Sequence, residues 1–382
     1  VLIFLAFGVK AAFPFLHNWL QDAYPNGTVT GTVFLSAFTT KLAIYALARG
    51  FPGTEILIPM GVVMTLFPVF YAVIENDLRK VLAYSLNNQL GYMVVGIGIG
   101  TALSLNGTVS HAFAHILYKA LLFMTMGAVL HRVGTTKATE LGGLYKSMPV
   151  TTVCCIIAAA SIAGLPFFSG FVTKSMVITA VGDHHLTWIF LGLMVASAGV
   201  MEHSGIKIPF FAFFAHDSGL RVKEAPWNML VAMIAGAALC LAIGLYPAPL
   251  YEILPFQNVD YEPYTSGHVL TSFQLLIFAI LAFAVLLRTG IYPPEKRGVN
   301  LDFDWTYRKA LPALIGVAAR VGGGVGERLH GAGRSFLDRS YRFIYRLHGP
   351  TGVFARTWST GAIAFWAVLG LFGFLLLYFF GR

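Results

Sequence analysis

Runs of about 20 apolar and almost uncharged residues recur along the chain, and no other feature of the sequence restricts the fold as strongly. A helix of that length crosses the hydrocarbon core of a bilayer, where only helices and closed barrels satisfy every backbone hydrogen bond. Hydrophobic residues make up 57% of the sequence and charged residues 11%, against roughly half and a quarter in soluble domains. We therefore predict an all-α polytopic membrane protein with about ten transmembrane helices.

One of the predicted spans is too long to be a single straight helix. The spans, whose ends are approximate, cover residues 1–20, 30–49, 56–74, 86–103, 109–131, 150–181, 186–200, 229–245, 269–287 and 361–380. The sixth contains Gly164, Pro166 and Gly170, so we expect a break near Pro166, where the proline removes a backbone donor. Broken helices at membrane depth usually line a buried cavity or an ion path.

The chain begins with Val1 rather than Met, and no basic segment precedes its first apolar run. This pattern differs from that of a signal peptide. We expect further helices to lie upstream of Val1 in the full protein.

The distribution of basic residues among the loops indicates the orientation of the chain, because Lys and Arg are enriched in cytoplasmic loops. With the predicted spans, Arg79, Lys146, Lys207 and the basic run from Arg288 all fall on one side. The loop at 247–268 falls on the other side and has three acidic residues and no basic one. We therefore predict that the basic side is cytoplasmic and that the C-terminus lies outside the cytoplasm.

Positive charge is concentrated in one extramembrane segment. The net charge is +9, and twelve of the 26 lysines and arginines lie between Arg288 and Arg356. Because this charge flanks the last spans, we expect it to bind anionic lipid rather than nucleic acid. Residues 291–356 are predicted to form one or two amphipathic helices on the cytoplasmic face, in contact with anionic lipid or a neighbouring subunit, or alternatively a solvated linker. The glycine run 322–324 argues against one continuous helix.

The sequence contains no motif for a cofactor or a metal. Cys154, Cys155 and Cys240 lie in apolar runs and lack the spacing of a disulfide framework or a metal site. Dinucleotide fingerprints, Cys-x-x-Cys pairs and haem motifs are also missing. We expect the chain to bind no cofactor and no metal and to have no redox centre of its own.

Four lysines fall within the predicted spans, namely Lys10, Lys41, Lys119 and Lys174. A lysine at the centre of a span costs roughly 2.5 to 3.5 kcal/mol on insertion scales, so each is a candidate functional residue. No carboxylate falls inside a predicted span to neutralise them. Burial lowers the pKa of a lysine and a nearby carboxylate raises it, so a lysine between these effects can exchange a proton. The alternative is that a lysine reaches the interface or donates to backbone carbonyls.

His111, His115 and Lys119 are spaced four residues apart and therefore share one helix face. Three protonatable groups in a row inside one span predict a proton relay. A single buried histidine could instead be satisfied by a hydrogen bond. Two histidines four apart could also share a metal ion, although neither a thiolate nor a clear carboxylate accompanies them.

Two further residues have open interpretations. His17 follows Lys10 by seven residues on roughly the same helix face, unless Pro14 kinks the helix, and either extends a relay or only ends the span. Glu202 lies just past a predicted span and is either an ion-site carboxylate or an interfacial residue that pairs with Lys207.

Four blocks combine polar and small residues within or beside the apolar runs. They lie at 8–23, 77–92, 111–123 and 164–174 and include the runs GVKAAFP, DLRKVLAYS, KALLF and GLP. In this order they resemble the antiporter-like subunits shared by Mrp cation/proton antiporters and respiratory complex I, over roughly residues 1–245. The stretch 205–214, followed by His216 and Asp217, looks most like the D-type subunit of Mrp.

The resemblance implies two inverted five-helix repeats, each with a broken helix that carries a lysine, joined by a polar axis at mid-membrane. It implies that Lys10 and Lys174 are the lysines of the two broken helices and that Lys41 bridges the halves. The connecting relay would consist of His111, His115 and Lys119. In the family a glutamate on an upstream helix partners the first lysine, and this chain contains no such helix.

The same resemblance divides the chain into five segments. Residues 1–49 would end the first repeat, 55–203 would form the second, and 204–290 would add further transmembrane helices. The basic segment at 291–356 and the last helix at 357–382 lie beyond the shared core.

Two functions are expected from the resemblance. The first is a proton-translocating subunit of a sodium or other monovalent cation/proton antiporter, assembled with other antiporter subunits in a bacterial plasma membrane and not itself an enzyme. The second is a proton-pumping membrane subunit of a complex I-like NADH:quinone oxidoreductase or a membrane-bound hydrogenase, and thus part of a redox-driven translocase. A third, coupling of proton flux to uptake of another solute, is also open.

Overall fold

The computed structural model describes residues 1–298, 300–321, 323–349, 352 and 359–380, and this part of the chain is helical and contains no β-strand. Two compact units are present, Val1–Asp304 and Trp305–Arg382. The predicted all-α architecture is confirmed.

The first unit begins with α1 (Leu2–Lys10), α2 (Asn18–Asn26), α3 (Gly31–Phe34), α4 (Thr40–Gly50), α5 (Leu57–Ile74), α6 (Leu78–Ile99) and α7 (Ala102–Val133). It continues with α8 (Pro149–Ala163), α9 (Ser169–Asp183), α10 (Thr187–Val200), α11 (Lys207–Pro209), α12 (Trp227–Leu245), α13 (Ala248–Tyr251) and α14 (Ser266–Thr289). A π-helical turn at Leu35–Thr39 joins α3 to α4. Two more, at Met201–Ile206 and Phe210–Phe214, flank α11, so 187–214 is one helical run.

Seven helices in the described residues are long and apolar enough to cross a membrane. They are Gly31–Gly50, Leu57–Ile74, Ala102–Val133, Thr187–Phe214, Trp227–Leu245, Ser266–Arg288 and Thr360–Phe380. The three other predicted spans fall on interrupted or polar helices. The predicted span 1–20 corresponds to α1 and α2, and the predicted span 150–181 corresponds to α8 and α9. The predicted span 86–103 overlaps α6, which carries Asn87, Asn88 and Gln89.

The break predicted near Pro166 is confirmed. Helix α8 ends at Ala163, Gly164 follows with φ 82°, and α9 begins only at Ser169. A comparable break separates α1 from α2 around Pro14. Proline cannot donate a backbone hydrogen bond, so each break exposes backbone groups that a continuous helix would pair internally.

Close helix contacts fix the centre of the first unit. A Cβ atom on Gly61 of α5 would lie 2.7 Å from the carbonyl oxygen of Gly91 on α6, and one on Gly91 would lie 2.5 Å from that of Gly61. Small residues allow two backbones to approach this closely. Helix α7 packs against α6, α8, α9 and α12, so its inner face lies in the interior of the unit.

The second unit contains α15 (Leu311–Val321), α16 (Gly323–His348) and α17 (Thr360–Phe380), and a π-helical turn at Thr306–Ala310 precedes them. Helices α15 and α16 thus occupy much of the segment for which amphipathic helices were predicted. The predicted interruption at the glycine run 322–324 depends on residue 322, which is outside the described residues. So are Arg356 and the C-terminal Arg382.

Candidate functional site

A row of ionisable side chains lies buried inside the first unit. It comprises Lys41, His111, His115, Lys119 and Lys174, each less than a tenth exposed. Lys41 comes from α4, the two histidines and Lys119 from α7, and Lys174 from α9. The structure therefore brings together five of the residues that the sequence indicated.

The histidines on α7 lie one above the other. The ring centroids of His111 and His115 are 6.2 Å apart with an angle of 22° between the ring planes, as their four-residue spacing predicts. The Nδ1 atom of His111 lies 3.2 Å from Oγ1 of Thr173, the residue before Lys174. This contact links the histidine row to the second broken helix.

Several polar atoms of the row have no hydrogen-bond partner among the described residues. They are Nε2 of His111, both ring nitrogens of His115 and Nζ of Lys119. The Lys119 ammonium lies 6.0 Å from the ring centroid of Phe123, which favours a cation. Buried polar groups are almost always satisfied, and exceptions concentrate where water or chemistry is involved. Free donor and acceptor positions are what a proton relay requires.

Lys174 is stabilised by the end of the preceding half-helix. Its Nζ donates to the carbonyl of Ile162, 3.0 Å away, and lies 3.5 Å from Oγ of Ser197. The last carbonyls of a helix lack amide partners and carry the negative end of the helix dipole. The break thus supplies negative charge density to Lys174. The Tyr92 ring centroid lies 5.3 Å from the same ammonium.

Helices α8 and α9 approach each other closely enough for this contact only because of Gly170. A Cβ atom there would lie 1.7 Å from the carbonyl oxygen of Ser161. Any side chain at this position would push α9 away from the end of α8. The glycine therefore sets the distance between Lys174 and Ile162.

A cavity of about 280 Å³ extends from Lys174 along α9. Its polar lining includes Ser175, Thr179, Asp183 and His268. Thr179 Oγ1 lies 3.3 Å from Nε2 of His268, which comes from α14. The cavity thus joins the lysine to polar groups at the far end of α9.

Lys41 follows the π-helical turn at Leu35–Thr39 and donates to the carbonyl of Ser36. Turns of this type often occur at functional sites because they displace backbone groups from the regular helix ladder. Lys41, Lys119 and Lys174 all lie close enough to His115 for their charges to act on it. The row is therefore electrostatically coupled.

Lys10 differs from the other predicted lysines, because it is exposed in this chain. The prediction that its span buries it is wrong here for a physical reason. Lys10 is the last residue of α1, which packs mainly against α4 and buries only Gly8. The residues that pack on α1 in the first unit do not bury the Lys10 ammonium, so other groups would have to cover it.

Lys207 shows the opposite error. The loop pattern predicts that Lys207 lies in a basic loop, yet its side chain is 0% exposed within the helical run 187–214. The helix continues past the predicted end at Val200 because the π-helical turn Met201–Ile206 accommodates the polar residues there. The only signal in the sequence was the apolar run at 210–214 directly after Lys207.

The surroundings of Lys207 are polar and specific. Its Nζ donates to the carbonyls of Ala72, Val73 and Glu75 at 3.2, 2.5 and 2.8 Å. The same atom lies 2.8 Å from Oε1 of Glu295. Glu202, one predicted partner of Lys207, instead accepts a hydrogen bond of 2.7 Å from the Tyr292 hydroxyl.

His17 is buried and contacts Asp302, a residue that the sequence patterns did not indicate. Nε2 of His17 lies 3.2 Å from Oδ1 of Asp302, and the Tyr84 hydroxyl donates to Oδ2 at 2.8 Å. Burial raises the pKa of Asp302, but hydrogen bonds from His17, the Phe303 amide and Tyr84 together hold it below its usual value.

His203 is a second buried residue that the sequence did not single out as a candidate. Its Nδ1 lies 2.8 Å from Oγ of Ser204, which in turn donates to Oγ of Ser85 at 2.7 Å. Nε2 has no partner among the described residues. His203 precedes Lys207 by four residues in the helical run 187–214, and the charges of Lys119 and Lys207 both act on it.

The described residues contain no group of three or more His, Cys, Asp or Glu side chains that could hold a metal ion. Cys154, Cys155 and Cys240 are free and buried. The chemistry that this site offers is proton exchange between amines, imidazoles and carboxylates.

Residues 1–201 match the family described as NADH:quinone oxidoreductase/Mrp antiporter, TM. F(420)H(2) dehydrogenase subunit L of Methanosarcina mazei is 33% identical over 259 residues, which cover 63% of this chain and 38% of that protein. The A-type subunit of the Na(+)/H(+) antiporter of Alkalihalophilus pseudofirmus is 32% identical over 327 residues, covering 76% of this chain and 39% of that protein. NADH-ubiquinone oxidoreductase chain 5 of Hippopotamus amphibius is 32% identical over 275 residues, covering 67% and 46%. The chain thus spans less than half the length of these curated relatives.

Two solved structures share the fold. The Mrp complex from Dietzia sp. DQ12-45-1b contains a chain that matches with a TM-score of 0.61 at 23% identity, over 74% of this chain and 60% of that one. The membrane-bound sulfane sulfur reductase, an archaeal respiratory membrane complex, contains one that matches with a TM-score of 0.61 at 24% identity, over 74% and 56%. The antiporter-like fold expected from the resemblance is confirmed, whereas the likeness to the D-type subunit of Mrp stays a prediction.

Proposed function

Because the chain belongs to the family of NADH:quinone oxidoreductase/Mrp antiporter transmembrane proteins, we propose that it translocates protons in a multisubunit monovalent cation/proton antiporter that exchanges sodium. It is an antiporter-like membrane subunit of the kind found in Mrp and complex I-like complexes. The observation that carries the proposal is the buried row of ionisable side chains, which consists of Lys41, His111, His115, Lys119 and Lys174.

In this proposal protons move along the row by changes of protonation at neighbouring groups. A charged lysine disfavours a second positive charge nearby, so uptake of a proton at one member promotes its release at the next. Lys174 exchanges protons with the cavity lined by Thr179, Asp183 and His268. Lys41 passes them toward the first break.

Lys10, His17 and Glu202 belong to the same proposal with separate roles. Lys10 is the lysine of the first break, and a neighbouring helix or subunit would cover its exposed side chain. His17 takes part at the basic-side end of that break. Glu202, 2.7 Å from the Tyr292 hydroxyl, is the candidate ion-site carboxylate.

We propose that the protein works in a bacterial plasma membrane with other antiporter subunits, its basic side toward the cytoplasm and its C-terminus outside. The basic segment at 291–356 contacts anionic lipid or a neighbouring subunit in this proposal. Residues 1–49 end one antiporter repeat, 55–203 form the next, and 204–290 and 357–382 add helices outside the repeats.

A second candidate function is proton pumping within a redox-driven membrane complex. The 33% identity to F(420)H(2) dehydrogenase subunit L supports it. The same row would serve both functions, because the difference lies in the partner subunits that supply the driving force. Proton movement started by a sodium gradient favours the antiporter, whereas proton movement started only by an electron donor favours the redox complex.

The test uses inverted membrane vesicles that contain the whole complex and a fluorescent dye that reports the pH gradient. Lys174→Ala and Lys119→Ala are expected to slow proton movement about tenfold or more, because each removes a proton-transfer group. Lys137→Ala is the matched control, since Lys137 is exposed and lies beyond the end of α7. Full proton movement in both row variants would disprove the relay.

A further inference from the structure

The segment after α14 folds back onto the basic-side end of the first unit. We call residues 291–303, apart from residue 299, the strap. It has no regular helix before residue 304, and residues 293 and 294 are both proline. The strap nevertheless places Tyr292 against Glu202, Glu295 against Lys207 and Asp302 against His17.

The contact between Glu295 and Lys207 is the deepest of these. Oε1 of Glu295 lies 2.8 Å from Nζ of Lys207, and the exposed fractions of the two side chains are 7% and 0%. A fully buried ammonium is costly unless a charge partner accompanies it. The helices around Lys207 offer three carbonyl groups, and the strap adds the carboxylate.

The other strap contacts hold this carboxylate in place. Asp302 bonds to His17 and Tyr84, and Asn300 donates to Oε2 of Glu75 at 3.3 Å. These contacts attach the strap after residue 295, and the hydrogen bond from Tyr292 to Glu202 attaches it before that residue. Glu295 is therefore positioned rather than flexible.

A buried histidine accompanies the pair on the same helical run. His203 precedes Lys207 by four residues, the Lys119 charge also acts on it, and Ser204 and Ser85 form a short hydroxyl chain next to its ring. On the other side of the pair, residues 296–298 of the strap are exposed. Oε2 of Glu295 has no partner among the described residues, so it is free to exchange a proton.

We propose that Lys207 and Glu295 form a further proton-exchange site, through which protons pass between the basic-side surface and the buried row by way of His203. This inference rests on the proposed proton translocation and adds to it a point of proton exchange with the surface, carried by the strap. Asp302 serves to fasten the strap.

The proton step involves only the pair. The Lys207 ammonium transfers one proton to the Glu295 carboxylate, which leaves a neutral amine and a carboxylic acid. The acid then releases that proton to water at the surface, and the amine takes another from the His203 side. Burial raises the pKa of Glu295 although the Lys207 ammonium opposes this effect, which brings the acid form within reach.

The obvious variant, Glu295→Gln, leaves the Lys207 charge buried without its partner and can prevent folding. The informative variant is therefore the double substitution Lys207→Met and Glu295→Gln, which removes both charges and keeps the volumes similar. A neutral replacement of a buried ion pair is usually tolerated by the fold. Glu252→Gln, at an exposed carboxylate in the loop between α13 and α14, is the control for loss of one acidic group.

The measurement is the initial rate of pH-gradient formation in vesicles with equal amounts of assembled complex. We expect the double variant to assemble like the wild type and to move protons at about one tenth of the wild-type rate or below. Glu295→Asp should retain part of the rate. Glu252→Gln should match the wild type.

A wild-type rate in the neutral double variant would overturn the proposal, since the pair would then be structural only. If the double variant fails to assemble, Glu295→Asp decides the question. A slowed but assembled Glu295→Asp supports the proposal, and any other result for it overturns the proposal, because the charges would then be needed only for the fold.

Lys174→Ala is measured in parallel. If Lys174→Ala is slow while the double variant is fast, the relay stands and the strap site fails. If Lys174→Ala is fast, the relay itself fails.

Discussion

The break between α1 and α2 and the break between α8 and α9 are built in the same way. Each contains a proline, Pro14 or Pro166, and each holds non-glycine residues in the left-handed conformation. In the first these are Ala12 and Phe15, with φ of 61° and 71°, and in the second Phe167, with φ of 75°. Such conformations cost of order 1–3 kcal/mol and persist only where the surroundings enforce them.

The two breaks differ in what surrounds their lysines. Lys174 is covered because α9 packs against α6, α7, α8, α10 and α12. Its ammonium therefore meets the carbonyl of Ile162 and the hydroxyl of Ser197 in a closed environment. Lys10 ends a helix that packs mainly against α4 and is exposed.

The comparison separates two requirements of a relay lysine. A broken helix supplies polar backbone groups, and this depends on local sequence. Burial disfavours the charged form of a lysine, so the lysine can release its proton more easily. Burial depends on neighbouring helices. The first break meets the first requirement within this chain and the second meets both. Experiments that alter the two breaks in parallel test this distinction.

The largest difference is expected at the glycines next to the breaks. Gly170→Ala would place a Cβ 1.7 Å from the backbone oxygen of Ser161, whereas Gly8→Ala would place one 2.3 Å from the ring of Phe13. A ring can move more easily than a backbone. We expect Gly170→Ala to lower the free energy of unfolding by more than about 3 kcal/mol and Gly8→Ala by about 1–3 kcal/mol.

Thermal unfolding of the purified protein in detergent measures both effects. Gly182→Ala, also on α9, is the control, because a Cβ there meets nothing within 4 Å. If Gly170→Ala were as stable as Gly182→Ala, the close approach of α8 and α9 would not hold, and the contact between Lys174 and Ile162 would lose its basis.

The accessibility of the two lysine positions gives the next largest difference. Lys10→Cys and Lys174→Cys are labelled with a charged maleimide in the purified chain. We expect the first to react at least about tenfold faster, because exposure controls thiol reactivity and position 174 is buried whereas position 10 is exposed. The native cysteines are buried and should contribute little.

The same reagent then extends the comparison to the whole complex. If the first break acts as a relay site, a neighbouring helix or subunit should cover position 10, and labelling of Lys10→Cys should slow to the rate at position 174. Unchanged fast labelling in the assembled complex would remove Lys10 from the relay and leave the second break as its lysine site.

Features that depend on local sequence were predicted well. The helical class and the break near Pro166 follow from the length of the apolar runs and from one glycine and proline pair. The common face of His111 and His115 follows from their spacing, since four residues nearly complete a helical turn.

Features that depend on distant segments were not predicted. The burial of Lys207 requires that π-helical turns carry the helix past Glu202, and that Glu295 arrive from the strap. The exposure of Lys10 reflects which helices cover α1. No periodic pattern in residues 291–303 indicates that this segment packs on the membrane helices, because its contacts are isolated polar pairs and the ring contacts of Tyr292 and Phe303.

The smallest expected effect concerns backbone strain in the first break. Ala12→Gly should relieve a left-handed residue, which costs roughly 1–2 kcal/mol, and the greater freedom of glycine in the unfolded chain offsets about half of that gain. Loss of the fully buried methyl group costs about a further 0.8 kcal/mol, so the stability of Ala12→Gly should stay within about 0.5 kcal/mol of the wild type. Ala11→Gly is the control, because Ala11 has φ of −79° and the substitution there should only destabilise.

The melting temperatures of the two variants measure this difference. A melting temperature near that of the wild type for Ala12→Gly, with a clear fall for Ala11→Gly, means that the surroundings hold the first break in a strained conformation, as the packing around α9 holds the second. Equal falls would mean that Ala12 is not held in the left-handed conformation in solution. The likeness between the two breaks would then be limited to their prolines, and only the second would be an enforced break.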